Sequence, residues 1–253
     1  MSIPGQAPIL NVSGKIATII LARPHVANRL EYEDLEVIRE HIHAINSVKE
    51  ILVLRIRAEG KNFCAGFNIQ SLGGPKTTAL FEQMVNDVAA ARPVTIAALN
   101  GGLYGGATDL ALACDFRFGL PACQMFVPAA QLGLLFYSSG MTRYVTRLGL
   151  NNAKRILLAC EKLDSSEMLK VGFLNKIIAP EKLVEEVDNL SIKLAEMAPL
   201  ALLGMKKYLN QIADGFLDVA ACKKDIVASD GSEDLAEGTR AWLEKRKPVF
   251  KGC

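Results

Sequence analysis

The chain has 253 residues, half of them hydrophobic, which is enough for one substantial core. Its 29 lysines and arginines against 27 acids leave a net charge of +2, with no basic stripe to suit nucleic acid. No apolar run approaches the roughly 20 residues of a membrane span, and the opening Met1-Ser2-Ile3-Pro4-Gly5-Gln6 lacks the basic-then-apolar pattern of a secretory signal.

Residues 8–12 and 15–21 alternate or run apolar around Ser13-Gly14, which predicts a hairpin. Pro24 and Asn28 punctuate a loop. Residues 31–48 place Leu35, Ile38, His41, Ile42 and Ile45 at helical spacing. A short apolar strand follows at 51–56, then a loop at 61–66 with a small-residue tip, then a helix at 77–91. Val94–Leu99 reads as a buried strand. It breaks at the glycine turn Asn100-Gly101-Gly102-Leu103-Tyr104-Gly105-Gly106, and a small-residue helix begins near Gly105. Short strands are predicted at 116–118 and 125–127. From about Ser138 onward the chain reads as helical, with one strand candidate at 175–178. The last helix starts after Gly231, with Ser232 as its N-cap and Glu233 and Asp234 at its positive end. Alternating strands and helices followed by helices alone predict an α/β core over 1–195 and a helical region over 196–253.

The six cysteines (Cys64, Cys114, Cys123, Cys160, Cys222 and Cys253) are scattered, mostly in apolar surroundings. They read as reduced thiols of a cytoplasmic or equivalent reducing compartment. There is no CxxC pair. The three histidines are His25, His41 and His43, and the last two do not share a helix face, so no zinc site is expected.

The glycine turn carries the chemistry. Glycines at a strand-to-helix junction let a ligand approach bare backbone. The first N–H groups of the helix have no internal partner and face whatever sits there. Such a site holds a negative oxygen, either a phosphate or an enolate. Taken alone, Gly105-Gly106 would read as tight helix–sheet packing.

Four segments in order resemble the enoyl-CoA hydratase/isomerase (crotonase) superfamily. Ala22-Arg23-Pro24-His25-Val26-Ala27-Asn28-Arg29-Leu30 is similar to its RPxxxNxL loop, and Lys61-Asn62-Phe63-Cys64-Ala65-Gly66-Phe67-Asn68-Ile69 to its xFxAGxDL loop. The run from Arg92 to Asp115 is similar to its KPxxAAxxGxAxGGGxELALxCD segment. Trp242-Leu243-Glu244-Lys245-Arg246-Lys247-Pro248-Val249-Phe250 is similar to its FLEKRKPxF end. The resemblance implies an α/β fold, a crotonase-like spiral of ββα units with a helical C-terminal trimerisation region. It implies self-association as a trimer or dimer of trimers, acyl-CoA thioester substrates, and no cofactor beyond the CoA of the substrate.

On that resemblance the N–H groups of Phe67 and Gly106 form an oxyanion hole. Asp109 takes the place of the first of the hydratases' two glutamates, although an acid in the first helical turn also complements the dipole. Ala129 takes the place of the second, and alanine transfers no proton. The two-glutamate mechanism is therefore not intact. Tyr137 lies beside the position of a tyrosine in the superfamily's methylmalonyl-CoA decarboxylases. It can orient a carboxylate or protonate an enolate, or simply wall the pocket. Tyr104 lines the pocket or packs. Ser138 and Ser139 fit a helix cap. A hydrolytic serine lacks a base, since no histidine follows residue 43. Cys64 reads as a buried hydrophobe. CoA recognition falls on Val26, Ala27, Asn28, Ala65 and Gly66, with Trp242 and Lys245 from the C-terminal motif. The alternatives are an acyl-CoA decarboxylase or thioester hydrolase of the same fold, or a non-catalytic acyl-CoA-binding homologue.

Overall fold

A computed structural model describes residues 5–71 and 75–253 of the chain. Residues 1–4, read above as unlike a secretory signal, lie outside them. The strands are β1 (Ile9–Ser13), β2 (Ile16–Leu21), β3 (Val53–Ala58), β4 (Val94–Leu99), β5 (Leu103–Tyr104), β6 (Phe116–Gly119), β7 (Gln124–Phe126), β8 (Leu163–Asp164) and β9 (Lys176–Ile177). The α-helices are α1 (Tyr32–Ser47), α2 (Pro75–Ala89), α3 (Gly106–Ala113), α4 (Ser138–Leu148), α5 (Leu150–Leu157), α6 (Ser165–Lys170), α7 (Leu183–Ala195), α8 (Pro199–Ala213), α9 (Val219–Asp230) and α10 (Glu233–Leu243).

The hairpin β1–β2 is antiparallel, and β2, β3, β4, β6 and β9 continue in parallel to make a six-stranded sheet. Every residue of β4 is buried, as a strand covered on both faces requires. A smaller sheet in the order β5-β7-β8 stands apart. One apolar cluster joins the inner faces of β2 and β3 to α1, α2 and α3. A second packs Val53, Ile96 and Phe118 against Val187 and Leu194 of α7.

Most predicted elements are present within a few residues. Ser232 caps α10 by accepting from Leu235 N–H, and Asp34 and Glu31 close a capping box on α1. Two strands went unpredicted. Leu103–Tyr104 lies inside the glycine turn and Leu163–Asp164 lies in the segment read as helical. Ser138 and Ser139 do not cap α4. The N-cap is Tyr137, and both serines turn to Glu82 of α2 instead.

Four of the six cysteines are buried, and all six are free thiols. No helix is long and apolar enough to cross a membrane among the described residues.

Candidate functional site

Two loops run side by side at the ends of β3 and β4. Phe63 N–H donates to Gly102 O at 3.0 Å, and Tyr104 N–H donates to Cys64 O at 3.0 Å. The contact continues as a parallel bridge between Cys64 and Leu103. Gly66 sits at φ +86°, and a Cβ there would lie 2.5 Å from Tyr104 O, so only glycine lets the strands come this close. The first loop is held on its other side by Leu30, which donates to Gly66 O at 2.8 Å and accepts from Asn68 N–H at 3.0 Å. Those bonds use the groups flanking Phe67 and turn the Phe67 N–H away from Leu30.

The second loop ends at Gly105, the N-cap of α3, which supplies no side-chain acceptor to the helix. Gly105 N–H is fixed by Phe126 O at 2.8 Å, and Gly105 O accepts from the Thr108 hydroxyl at 2.6 Å. Gly106 then opens the helix with an orphan N–H. Among the described residues, neither Phe67 N–H nor Gly106 N–H has an acceptor.

Phe67 and Gly106 wall the same cavity, about 170 Å³, with Ala65, Gly66, Tyr104, Phe81, Val127, Ala129, Phe136 and Tyr137. The lining is almost wholly apolar. Ile69 and Leu135 stand exposed at its rim. The Phe67 and Phe81 rings meet edge to face at 6.2 Å. Tyr104 does line the cavity, and Ala129 stands in the wall with no carboxylate to offer.

Asp109 is fully buried on α3. Its carboxylate is engaged on both oxygens. Arg143 Nε donates to Oδ1 at 3.0 Å and Arg143 Nη2 to Oδ2 at 2.7 Å, while the Tyr137 hydroxyl donates to Oδ2 at 2.6 Å. Such a forked pair is the strong geometry for arginine and carboxylate. Burial opposes the Arg143 charge, but the bonds to Asp109 outweigh it and hold the guanidinium protonated. Burial, then the negative charge of Asp109, push the Tyr137 hydroxyl well above its ordinary value. Tyr137, which lines the cavity, thus keeps a neutral O–H bonded to Asp109, while Asp109 itself is not among the residues that line the cavity. Sequence reasoning missed Arg143. The usable signal was Asp109 itself, since an acid among Ala107, Thr108, Leu110 and Ala111 demands a buried cation, although nothing in the spacing names which one.

Cys64 is no nucleophile. Burial pushes its thiol up to about 12, and its Sγ donates to Asn28 O at 3.0 Å. Of the residues assigned to CoA recognition, Ala65 and Gly66 line the cavity, and Ala65 N–H reaches Ala27 O at 2.8 Å, which joins the Val26-Ala27-Asn28 loop to the site. The Asn28 side chain is spent on structure, donating to Glu59 O at 2.7 Å and Asn62 O at 2.9 Å. Trp242 is 84% exposed on α10 and Lys245 lies in the turn just past that helix; neither borders the cavity within one chain. A larger cavity, about 1170 Å³, lies beyond Arg143 between α2, α4 and α8, and none of the predicted site residues lines it.

The enoyl-CoA hydratase/isomerase family profile matches residues 11–253. The chain is similar to the crotonyl-CoA hydratase of Syntrophomonas wolfei, at 28% identity over 251 residues and 96% of each chain. It is also similar to the short-chain-enoyl-CoA hydratase of Clostridium acetobutylicum, at 26% identity, covering 94% of this chain and 95% of that one. The crystal structure of an enoyl-CoA hydratase subunit from Geobacillus kaustophilus superposes with a TM-score of 0.88 at 29% identity over 100% of both chains. An enoyl-CoA hydratase/carnithine racemase structure from Magnetospirillum magneticum shares the fold, with a TM-score of 0.92 at 24% identity over 98% of this chain and 96% of that one. With the α/β architecture, the two converging glycine loops and these matches in agreement, the chain belongs to the enoyl-CoA hydratase/isomerase family and has the crotonase fold.

Proposed function

We propose that the protein is an acyl-CoA-processing enzyme that stabilises a thioester enolate between the N–H groups of Phe67 and Gly106. One observation carries this reading. Two amides from separate loops, both without an acceptor among the described residues, belong to residues that wall a single apolar cavity. Preset donors in a dry site stabilise a developing oxyanion without reorganising, and loss of one such donor elsewhere costs roughly 2.7–4 kcal/mol of barrier. The α3 dipole adds to the effect at Gly106. The reaction needs no cofactor beyond the CoA of the substrate.

Within that class, hydratase- or isomerase-type work is the family default, with Asp109 as its carboxylate. The engagement of both Asp109 oxygens and the alanine at 129 favour a second reading, decarboxylation. There the Cα–carboxylate bond breaks, its electron pair becomes the enolate double bond, and carbon dioxide leaves. The Tyr137 O–H proton then passes to Cα, and solvent returns a proton to Tyr137. Tyr137 is also the acid that would deliver a proton after any other route to the enolate.

For CoA itself, the Val26-Ala27-Asn28 and Ala65-Gly66 backbone meets the adenine end, and Lys245 approaches the phosphates from a neighbouring subunit, with Trp242 against the ligand. The exposed apolar side chains of α8 and α9, among them Leu209, Ile212, Ile226 and Val227, supply a surface for assembly as a trimer or dimer of trimers. A screen with crotonyl-CoA, methylmalonyl-CoA and a branched enoyl-CoA tests the reading. Turnover lost in Asp109→Asn but kept in Tyr137→Phe supports hydratase-type work. Turnover lost in Tyr137→Phe alone supports decarboxylation or hydrolysis. CoA binding with no turnover of any thioester refutes the enzyme and leaves a binding protein.

A further inference from the structure

Helix α4 begins at Tyr137, whose side chain offers no acceptor to the first amides of the helix. The acceptor comes from α2. One carboxylate oxygen of Glu82 accepts from Ser139 N–H at 3.1 Å, from the Ser139 hydroxyl at 2.7 Å and from the Ser138 hydroxyl at 3.4 Å. Burial alone would raise the Glu82 carboxyl, but the Ser139 bonds and the nearby Arg143 charge outweigh it and hold the group below its ordinary value. One turn further along α2, Asn86 accepts from Arg143 Nη1 at 2.8 Å. Glu82 and Asn86 therefore grip the two parts of α4 that carry the site, its first turn and Arg143.

The same helix touches the cavity. Thr77, Thr78 and Phe81 line it, and the Phe81 ring lies 6.1 Å from that of Tyr137. Tyr137 has little freedom of its own. Its ring stacks on Phe136 at 4.7 Å, and a Cβ at Gly140 would meet the Phe136 ring at 2.5 Å and the Tyr137 ring at 2.7 Å. With the ring clamped against α4, the aim of the hydroxyl follows the orientation of the first turn of that helix.

We propose that Glu82 is a positioning residue: by capping α4 from α2 it fixes the direction in which Tyr137 presents its hydroxyl to the cavity and to Asp109. The kinetic part of the test rests on the thioester reading above; the geometric part does not. The full-length protein carries 3-fluorotyrosine, with the Tyr137 resonance assigned by its absence in Tyr137→Phe. In parallel, exchange of the α-protons of butyryl-CoA in D2O gives kcat and KM.

Loss of a helix cap corresponds to roughly a five- to tenfold effect when expressed as a rate. Glu82→Ala is expected to move the Tyr137 fluorine resonance and to lower kcat by that factor, with KM changed less than about twofold. Glu82→Gln, which keeps an acceptor for Ser139 N–H, restores most of both. Glu82→Ala combined with Tyr137→Phe is no slower than Tyr137→Phe alone, because one acts through the other. Should Glu82→Ala fail to fold, Ser139→Ala and Glu82→Gln carry the same test with smaller shifts. A Tyr137 resonance unmoved by these variants overturns the proposal, as does multiplication of the two kinetic losses. If the resonance moves while the unmodified protein exchanges no α-proton and turns over none of the three thioesters named above, the positioning role stands and the thioester reading falls.

Discussion

Replacing Arg143 by methionine tests the buried pair most directly. Methionine keeps an unbranched stem of similar length and removes the charge. Asp109 would then hold a fully buried carboxylate with one remaining donor, the Tyr137 hydroxyl at 2.6 Å, in place of three. Breaking a buried pair by removing one partner costs about 3–5 kcal/mol. That is a large share of the 5–15 kcal/mol typical of a folded domain. Asp109→Leu should cost a similar amount, since it strands the guanidinium. The double variant, Asp109→Leu with Arg143→Met, removes the desolvation cost of both charges and should recover to within about 2 kcal/mol of the parent. Urea unfolding followed by far-ultraviolet circular dichroism at one fixed protomer concentration measures all four proteins. An Arg143→Met loss under about 1 kcal/mol, or a double variant as unstable as either single one, would refute the account of the pair as an obligate neutralising unit.

Three further outcomes are expected. The Tyr137 hydroxyl is raised by burial and by Asp109, so its neutral form is favoured in the folded protein. Stability from this group is complete below the ordinary tyrosine value near 10 and is lost as pH rises through the higher folded value; ultraviolet difference titration of the parent against Tyr137→Phe should show no phenolate from this residue until well above that pH. Gly66→Ala places a Cβ 2.5 Å from Tyr104 O at a positive φ, so it should cost roughly 1–3 kcal/mol in urea unfolding and reduce thioester affinity by calorimetry. Ser232→Ala removes the side-chain acceptor for Leu235 N–H and should cost about 1 kcal/mol in the same unfolding assay, leaving the cavity untouched.

The parts of the fold written in local patterns were legible. β4 shows as an unbroken apolar run because both its faces are covered, and α10 announces its start through Ser232-Glu233-Asp234. β5 and β8 were not legible because each is two residues set inside a stretch that reads as something else, a glycine turn and a helical region, and their pairing is decided by β7. In the site, Gly105-Gly106 taken alone reads as tight packing, and only the resemblance of the Ala65-Gly66-Phe67 loop and the Arg92–Asp115 run to a known family points to backbone chemistry. The partners of Asp109 do not show in the sequence. Arg143 and Tyr137 come from a helix some thirty residues on, and the grip of Glu82 on Ser139 spans 57 positions. Ser138 and Ser139 looked like a cap because serine commonly caps its own helix. Here the acceptor is supplied in trans, and serine becomes the donor.

On the proposed reading, the arrangement of charge around α3 lets an acid and an enolate share its first turn. At the far end, Arg117 and Arg147 donate to Cys114 O at 2.5 and 2.7 Å, and Arg147 also donates to Leu112 O. Cations at a helix C-terminus complement its dipole, so the Gly106 N–H, without an acceptor among the described residues, remains the positive end of the helix. Asp109, three residues on, sits about 5–6 Å from that end by helix geometry. An unpaired carboxylate there would oppose an enolate oxygen by about 3 kcal/mol at an effective dielectric near 20. The fork from Arg143 cancels that charge while leaving the Tyr137 bond in place. On the proposed reading, Arg143→Met should therefore slow enolate chemistry by roughly a hundredfold. Where Tyr137 and not Asp109 handles the proton, adding Asp109→Asn to Arg143→Met should restore most of that loss, because the opposing charge is gone although its cation is still missing; a loss that deepens instead marks Asp109 as the reacting carboxylate. A restored rate in the double variant, measured as α-proton exchange of butyryl-CoA, separates electrostatic shielding from a direct role for Arg143 at the substrate, which the second substitution could not repair.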